Sequence, residues 1–405
     1  MIDYNYCLKR KIDPNVPRMC SKTVLDASTE GITFDSDGVC NFVRQAEWRL
    51  DHERFLGQER EKRLAGLVET IKASGVGKEY DCIIGLSGGV DSSCVAAQVV
   101  GLGLRPLAIH LDNGWNSELA VANIERIITK LGIDLITYVV DWDEIKDLQR
   151  AYFKASVLDL ECVSDHAINT ILLREASRRG IRYLLHGGNV ATESILPTAW
   201  GYDKRDGKNL WSIHKKFGTR RLKTYPYMFP RKLFYYLFVR GIRAIPILNY
   251  VEYNKTEAVK SLQTDFDWRP YGRKHGENRF TRFFQEYYLP VKFNIDKRRA
   301  HLSSMIVSGE ISRDEAIKQL EEPLYERNEL EEDFRYVAGK LDFEPSELSA
   351  LISRAPVRHT EYGNAAWMFD HSSKWVQLAR YIAKGEFSLK RIRSVWAKPS
   401  YGSDQ

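Results

Sequence analysis

The stretch Tyr80-Asp81-Cys82-Ile83-Ile84-Gly85-Leu86-Ser87-Gly88-Gly89-Val90-Asp91-Ser92-Ser93 decides the fold. Its first half carries no charge after Asp81 and reads as a strand buried on both faces. Its second half is a Ser-Gly-Gly turn that runs into a small-residue helical pattern over 91–102. Adjacent glycines let the backbone take conformations closed to other residues and let a ligand approach closely. The first N–H groups of the following helix have no intrahelical partner, and the helix dipole favours an anion there. Ser87, Ser92 and Ser93 add hydroxyls, so the segment reads as an oxyanion cradle for a phosphate. It is neither G-x-x-x-x-G-K-[ST], which needs a lysine absent here, nor G-x-G-x-x-G. Asp91 would repel a bound phosphate unless a cation lay between them. Its functional reading is therefore a Mg²⁺ ligand, and the alternative is a helix N-cap.

Outward from the loop, apolar runs at 105–111, 135–140 and 182–186 predict further strands. Helical patterns over 117–131, 142–158 and 165–178 alternate with them. Alternation at this length predicts an α/β fold, a doubly wound parallel sheet with helices on both faces, and ligands at the C-terminal ends of its strands. Residues 46–74 read as one charged helix, with Trp48, Leu50, Phe55, Leu64, Leu67 and Ile71 at helical spacing. From Trp268 the strand signals fade, and short helices are predicted over 279–288, 296–308, 312–320, 329–341 and 345–353, packed across the mouth of the sheet. The expected organisation is a small N-terminal segment (1–45), a linking helix (46–75), the phosphate-loop domain (76–260) and a mainly helical C-terminal part for substrate or partner (261–405).

With 405 residues, 43% apolar and 28% charged, composition is that of an ordinary globular protein. A net charge of +6 suits an anionic small molecule and RNA equally. The N-terminal sequence has no apolar run behind its charges, so no secretory signal is read and a cytoplasmic location is expected. The most apolar region, 233–253, is interrupted by Arg240, Arg243 and Pro246 and cannot span a membrane. It reads as a buried helix plus strand, with a membrane-surface role as the lesser alternative. The acidic stretch 310–332 reads as a solvated helical face before it reads as a partner surface. Six cysteines without an export signal argue against disulfides, and Cys82 and Cys94 fit as small core residues.

The Ser87–Ser93 sequence after a buried strand resembles the signature of the PP-loop ATP pyrophosphatases, an adenine-nucleotide alpha-hydrolase-like superfamily that includes GMP, asparagine and NAD synthetases and tRNA thiolases. The resemblance implies cleavage of ATP between its α and β phosphates, with AMP passed to a carbonyl oxygen and pyrophosphate held on the loop. Four further stretches narrow it. These are Phe34-Asp35-Ser36-Asp37-Gly38-Val39-Cys40-Asn41, Tyr271-Gly272-Arg273-Lys274-His275-Gly276-Glu277-Asn278-Arg279-Phe280, Tyr287-Tyr288-Leu289-Pro290 and Asp296-Lys297-Arg298-Arg299-Ala300-His301-Leu302-Ser303-Ser304. Over roughly residues 18–350 the chain is similar to the N-acetyl sugar amidotransferases of bacterial lipopolysaccharide O-antigen and pseudaminic-type sugar pathways. That likeness implies adenylation of the acetamido oxygen of an N-acetylated, UDP-linked sugar and attack by ammonia to leave an acetamidino group.

The expected nucleotide site is Ser87, Gly88, Gly89, Asp91, Ser92 and Ser93, joined by Asp112 and Asn113 after the second strand and Gly188 after the fourth. Asp91, Glu193, Lys274 and His275 are the expected catalytic residues, with ATP and Mg²⁺ as cofactors and Asp91 and, more weakly, Glu193 as Mg²⁺ ligands. Arg279, Arg298, Arg299 and His301, with His275, are the candidates for binding phosphate or a sugar carboxylate, since guanidinium forks suit both. The structural alternative for each arginine is an ion pair or a solvated helix face. Position 2 is Ile2 and no cysteine lies in a G-x-C-x-G context, so no glutaminase is recognised within the chain. The resemblance implies separate glutaminase and cyclase-like partners that deliver ammonia.

The chain departs from its relatives at two C-x-x-C pairs that read as a zinc site. Cys20 is followed by Thr23, and Cys40 by Val43, where second cysteines stand in relatives. Two thiolates are too few for structural zinc, so zinc is not expected and the segment is taken as a degenerate zinc-ribbon-like remnant. Two other readings stay open. A tRNA-modifying PP-loop enzyme would use the basic residues at 215–223 and the basic tail, with Cys162 as its free cysteine. A non-catalytic adenine-nucleotide-binding module would need only the loop.

Overall fold

The computed structural model describes residue 2, residues 18–271 and residues 277–368. The basic tail, Cys7, and the catalytic candidates Lys274 and His275 lie outside the described residues.

Five parallel strands form one sheet in the order β3-β2-β1-β4-β5. They are β1 (Cys82–Gly85), β2 (Pro106–Asp112), β3 (Asp134–Val139), β4 (Tyr183–His186) and β5 (Arg243–Pro246). The helices that precede and link them are α1 (Asn41–Glu53), α2 (Gly57–Ser74), α3 (Val90–Gly101), α4 (Glu118–Leu131), α5 (Trp142–Ala155) and α6 (Cys162–Arg179). Alternate residues feed two cores. Ile83, Leu107, Ile109 and Leu184 pack with α5 and α6 on one face. Cys82, Ile84, Ala108, Tyr183 and Leu185 pack with α3 and α4 on the other. This is the doubly wound sheet that the alternating pattern predicts. Because the chain winds outward through β2 and β3 and returns to place β4 beside β1, the switch of direction falls between β1 and β4, where such sheets bind ligands.

Two expectations need correction. The charged helix read over 46–74 is two helices, α1 and α2, broken at Arg54–Leu56 by extended backbone at Arg54 and Leu56. The region 233–253 does contain a helix and a strand, but they are not buried. α7 (Val190–Glu193) and α8 (Gly207–Phe217) lead into α9 (Pro230–Phe234), which widens into a π-turn over Tyr235–Val239. Leu233, Tyr236 and, in part, Leu237 pack inward, while Phe234 is 46% and Val239 65% exposed. β5 is the edge of the sheet, and Arg243 and Ala244 face outward.

Beyond β5 come α10 (Lys255–Phe266), then α11 (Arg279–Phe283) continuing through a π-turn (Phe284–Tyr288) into α12 (Leu289–Phe293), then α13 (Lys297–Val307), α14 (Arg313–Glu321), α15 (Arg327–Lys340) and α16 (Pro345–Ser353). All five helices expected in this part are present. Fully buried Asp333 on α15 binds Arg279 and Arg282 of α11 and the Tyr325 hydroxyl, so a carboxylate ties the region together.

The basic loop over 219–225 is held from beneath by two carboxylates of α5. Asp147 accepts from the Thr219 and Arg220 backbone N–H groups (3.0 Å each) and the Thr219 hydroxyl, and Glu144 accepts from the N–H groups of Lys223, Thr224 and Tyr225. Burial pushes the Asp147 carboxyl up, but the donors from Thr219, Arg220 and His214 outweigh it and hold the group below its ordinary 3.8. A pKa depressed by folding means that this contribution is whole above the unfolded value and is lost as pH falls through the folded one. Hydrogen exchange at Thr219 and Arg220 should therefore stay slow from neutral pH down to about 3.8 and quicken below it. Asp147→Asn should raise tryptic cleavage after Arg220 and Arg221 about tenfold at neutral pH, as the loss of hydrogen bonds to a charged acceptor implies. Unchanged cleavage in the variant would mean that Asp147 does not hold the loop.

Candidate functional site

The phosphate loop joins β1 to α3 at the switch point. Gly88 has φ +82°, and a Cβ there would lie 2.5 Å from the Ala120 carbonyl oxygen, so no other residue fits without moving α4. Its carbonyl oxygen accepts from Trp268 Nε1 and from the Tyr271 hydroxyl, at 2.9 Å each. These two donors tie the carbonyl to the 268–271 segment. The hydroxyls of Ser87 and Ser92 lie 3.0 Å apart, and Ser92 Oγ receives the Ser87 N–H at 3.2 Å. Ser93 is fully buried beneath the loop, and its hydroxyl has no partner among the described residues.

Asp91 stands in the first turn of α3. Tyr253 donates its hydroxyl to Asp91 Oδ1, and burial together with the Asp91 charge pushes the Tyr253 pKa well up, so the phenol keeps its proton. Gly187, just past β4, packs against Asp91 so closely that a Cβ would come within 2.9 Å of Asp91 Cβ. The loop after β4 is fixed in turn. Asn189 caps α7 through the Thr192 N–H, and Asn249 Oδ1 accepts from the Val190 N–H, both at 3.0 Å.

Two cavities open on this loop. One, of about 860 Å³, lies over the cradle and is lined by Ser87, Gly89, Asp91, Ser92 and Glu193. It carries the cations Arg49, Lys255 and Lys297, and His301. The second, of about 530 Å³, lies at the C-terminal ends of β1, β2 and β4 and is lined by His110, Asn113, Asp165 and Asn169. Ser87 and Glu277 belong to both. At the seam Glu161, lining the second cavity, faces Lys297 of the first at 4.0 Å, with Gln285 Nε2 at 3.4 Å from the same carboxylate.

The second cavity is neutral on one wall and acidic on the other. Burial lowers the His110 pKa, and its two nitrogens bond the Leu86 carbonyl (2.8 Å) and Asn116 Nδ2 (3.1 Å), so the ring is neutral. Loss of solvent around Asp165, whose side chain is still 40% exposed, raises its pKa, and the nearby carboxylates of Glu161 and Asp159 add to the rise against the pull of Lys204.

The expected site residues divide into three groups. Ser87, Gly89, Asp91, Ser92, Asn113, Glu193 and His301 line the two cavities. Asp112 turns into its own loop, where Oδ1 accepts from the Gly114 N–H at 2.9 Å, and Gly188 backs onto His186. The three arginines serve as tethers. Arg279 binds Asp333 and Glu332 (2.7 Å each), Arg298 binds Asp296 and the carbonyls of Gln319 and Glu322, and Arg299, nearly buried, binds Asp26 and the Val24 carbonyl. Arg49, Lys255, Lys297, Glu161, Gln285 and Asp165 are the lining residues that the sequence reading missed. Lys297 was inside a quoted motif, but nothing in the spacing distinguished it from Arg298 and Arg299. Arg49 comes from α1 and Glu161 from the N-cap of α6, neither of them within a motif.

Cys20 and Cys40 do meet. Cys20 Sγ accepts from the Cys40 N–H at 3.2 Å. Hydrogen bonding from the Cys40 thiol draws the Cys20 pKa down to about 4 and raises that of Cys40 in return. Among the described residues no group of three or more His, Cys, Asp or Glu side chains is placed to hold a metal.

The sheet order, the switch-point loop and the helical cover define a doubly wound parallel α/β fold with a Ser-Gly-Gly loop at its switch point. Residues 277–376 match the family model described as "LPS biosynthesis protein WbpG-like, C-terminal domain", so the C-terminal part is WbpG-like, in keeping with the family resemblance read from the sequence. No curated protein matches the chain. Solved structures give looser likenesses that carry no argument about activity. An NH3-dependent NAD synthetase from Campylobacter jejuni is 14% identical, with 52% of this chain and 86% of that one covered and a TM-score of 0.27. An NMN synthetase from Francisella tularensis is 15% identical, covering 52% and 94%, with a TM-score of 0.28. A predicted subunit of a tRNA methyltransferase from Methanocaldococcus jannaschii is 16% identical, covering 44% and 75%, with a TM-score of 0.24.

The Gly88 geometry makes a sharp prediction. Gly88→Ala should abolish binding of magnesium pyrophosphate in a calorimetric titration. Tyr271→Phe, which removes one hydroxyl, should weaken it about fivefold, in line with one net hydrogen bond. Full affinity in Gly88→Ala would show that the anion does not sit on this loop.

Proposed function

We propose that this protein is an ATP-dependent amidotransferase of lipopolysaccharide O-antigen biosynthesis, converting the acetamido group of an N-acetylated, nucleotide-linked sugar into an acetamidino group. The observation that carries the proposal is the pair of cavities meeting at Ser87 and Glu277, one beside the strand ends and one over the phosphate loop. The strand-end cavity has the size and the neutral and acidic hydrogen-bonding groups for an adenosine, with Asn113, Asp165 and Asn169 in its lining. The cavity over the cradle is large enough for a sugar and its phosphates, and Arg49, Lys255 and Lys297 give it the charge for an anionic substrate.

The chemistry needs an activated oxygen, because an amide oxygen is a poor leaving group and AMP is a good one. The acetamido oxygen attacks the α-phosphorus of ATP, the α–β bridge breaks, and pyrophosphate leaves with the electron pair. Ammonia then adds to the imidate carbon and loses a proton as the C–O bond breaks and AMP departs. The Ser87–Ser92 loop holds the pyrophosphate end. Lys297, set at the seam by Glu161 and Gln285, neutralises charge that develops between the two cavities. The oxygen donors Asp91 and Glu193 in one cavity suit Mg²⁺, which takes one or two carboxylates and completes its shell with phosphate oxygens. The ion would supply charge neutralisation, and the Tyr253 hydroxyl and Gly187 hold the Asp91 carboxylate in place for it. Ammonia would come from a glutaminase with a cyclase-like carrier, a partnership implied by the family resemblance. A cytoplasmic location follows from the soluble substrates of this reading, and no helix among the described residues is long and apolar enough to cross a membrane.

The tRNA-modifying reading is disfavoured by Cys162. It is buried, and burial pushes its thiol well above the ordinary value, the opposite of a poised nucleophile.

Pyrophosphate release from ATP with Mg²⁺ and ammonium, across a panel of UDP-linked acetamido sugars, tests the proposal. One sugar should elicit AMP and pyrophosphate in equal amounts, and Asp91→Ala should lower the rate at least a hundredfold. Lys297→Met should lower turnover by about two to three orders of magnitude, as loss of one transition-state charge contact implies, while leaving ATP affinity within a few-fold. Release with tRNA and with no sugar would overturn the sugar reading. ATP binding with no release under any condition would leave a nucleotide-binding module.

A further inference from the structure

The pole of the sheet opposite the phosphate loop carries a second, unassigned feature. Between Asp206 and Glu252 the sequence has no acidic residue and ten lysines and arginines. Some of that charge is engaged, since Arg220 pairs with Asp143 and the 219–225 loop rests on Asp147 and Glu144. Four of the others, Arg231, Lys232, Arg240 and Arg243, lie in or next to α9, its π-turn and the start of β5. These four have no acidic partner among the described residues. Between them the π-turn turns apolar groups to solvent. Phe234 packs against Phe238 in a tilted pair with ring centroids 4.7 Å apart, and Tyr235 (38%) and Val239 (65%) are exposed beside them.

Val239 and Arg240 also form one wall of a polar cavity of about 390 Å³ whose other cations are Lys78 and Arg182. Lys78 precedes β1 and Arg182 precedes β4, so this cavity sits at the N-terminal edge of the parallel sheet, away from the candidate active site. Two of its cations are fixed by carbonyls at helix ends. Lys78 Nζ donates to Ser74 and Gly180 (2.6 and 2.7 Å), and Arg240 Nη2 to Ser177 (2.7 Å). Arg182 is exposed and has no side-chain partner among the described residues. The nearby carboxylates are engaged: Glu175 lies buried among Arg174, Arg178 and Arg179, and Glu79 acts on Tyr80.

We propose that this face docks on an anionic lipid bilayer. Phe234, Tyr235 and Val239 enter the headgroup layer, and the Lys78–Arg182–Arg240 cavity takes a lipid phosphate. Exposed aromatic and aliphatic side chains ringed by cations are the pattern of interfacial membrane segments. A nucleic-acid surface would need base-stacking rings along a basic groove, whereas here Phe234 and Tyr235 stand exposed on a helical turn. Docked this way, the sheet's C-terminal edge and both cavities face the aqueous side, open to soluble nucleotides. The inference is independent of the reaction proposed above.

Co-sedimentation of the full chain with vesicles tests it. The protein should pellet with phosphatidylcholine vesicles containing phosphatidylglycerol, stay in solution with phosphatidylcholine alone, and be released by high salt. Phe234→Ser with Val239→Ser should abolish pelleting. Arg182→Ala should weaken it about fivefold, the factor expected for one cation near an anionic surface. Val121→Ser, exposed on α4, should leave it unchanged and shows that removing an exposed apolar residue is not enough. No pelleting of the wild type, equal pelleting with neutral vesicles, or indifference to the Phe234/Val239 pair would each overturn the proposal. So would binding of an RNA homopolymer that displaces the protein from vesicles.

Discussion

The Gly88 carbonyl is the point on which the site turns. A phosphate cradle made of backbone must present N–H groups and keep carbonyl oxygens out of the way. Gly88 meets the first demand through a left-handed backbone that only glycine tolerates against the Ala120 carbonyl. The second is met from outside the loop, by the Trp268 and Tyr271 donors that hold the carbonyl oxygen. Those donors follow α10, beyond the last strand, so the segment entering the C-terminal part sets the dipoles of a loop that opens the sheet. The same segment is placed by Asn123 of α4, whose side chain bonds the backbone of Arg269 at 2.8 and 2.9 Å. Loop, α4 and the 268–271 segment are thus one hydrogen-bonded unit.

Much of this was legible in the sequence because it rests on local rules. Apolar runs, small-residue helices and their alternation fix four of the five strands within a residue or two, and Ser-Gly-Gly after a buried strand marks the ligand end of the sheet. β5 was harder. It is an edge strand of four residues, half exposed, opening on Arg243 soon after Arg240, so its pattern blends with the apolar helix before it. The site divides along the same line. The loop residues are contiguous in sequence, so reading the motif is enough to place them together at one cavity. Lys297, Arg49 and Glu161 were missed because only tertiary packing brings them to the seam.

The arginines show the converse. Arg279, Arg298 and Arg299 stood out by type and clustering, yet each meets a carboxylate or a carbonyl of its own chain. A helix carrying Lys-Arg-Arg in sequence points the three side chains about 100° apart. On α13 that separation sends Lys297 toward Glu161 at the cavity seam, Arg298 toward the end of α14, and Arg299 under the N-terminal segment. A motif that is dense in one residue type therefore carries three different roles, and the sequence alone cannot rank them.

α13 also accounts for how the N-terminal segment holds its shape. A segment this small has little core of its own and needs cross-links. Cys20 and Cys40 contribute one contact, a hydrogen-bonded pair of thiols. The stronger ties run to the C-terminal part: Arg299 to Asp26 and the Val24 carbonyl, Ser303 Oγ to the Val24 N–H, and Arg313 to the Thr23 and Cys20 carbonyls. Val24 itself is buried against Leu302, Ala316 and Leu320. None of these ties involves a metal, and they join the segment to the helix that also clamps the loop after β4, through Ser304 to the Ile195 N–H and His301 to the Thr192 carbonyl. The N-terminal segment is in this way part of the scaffold behind the wall of the candidate site.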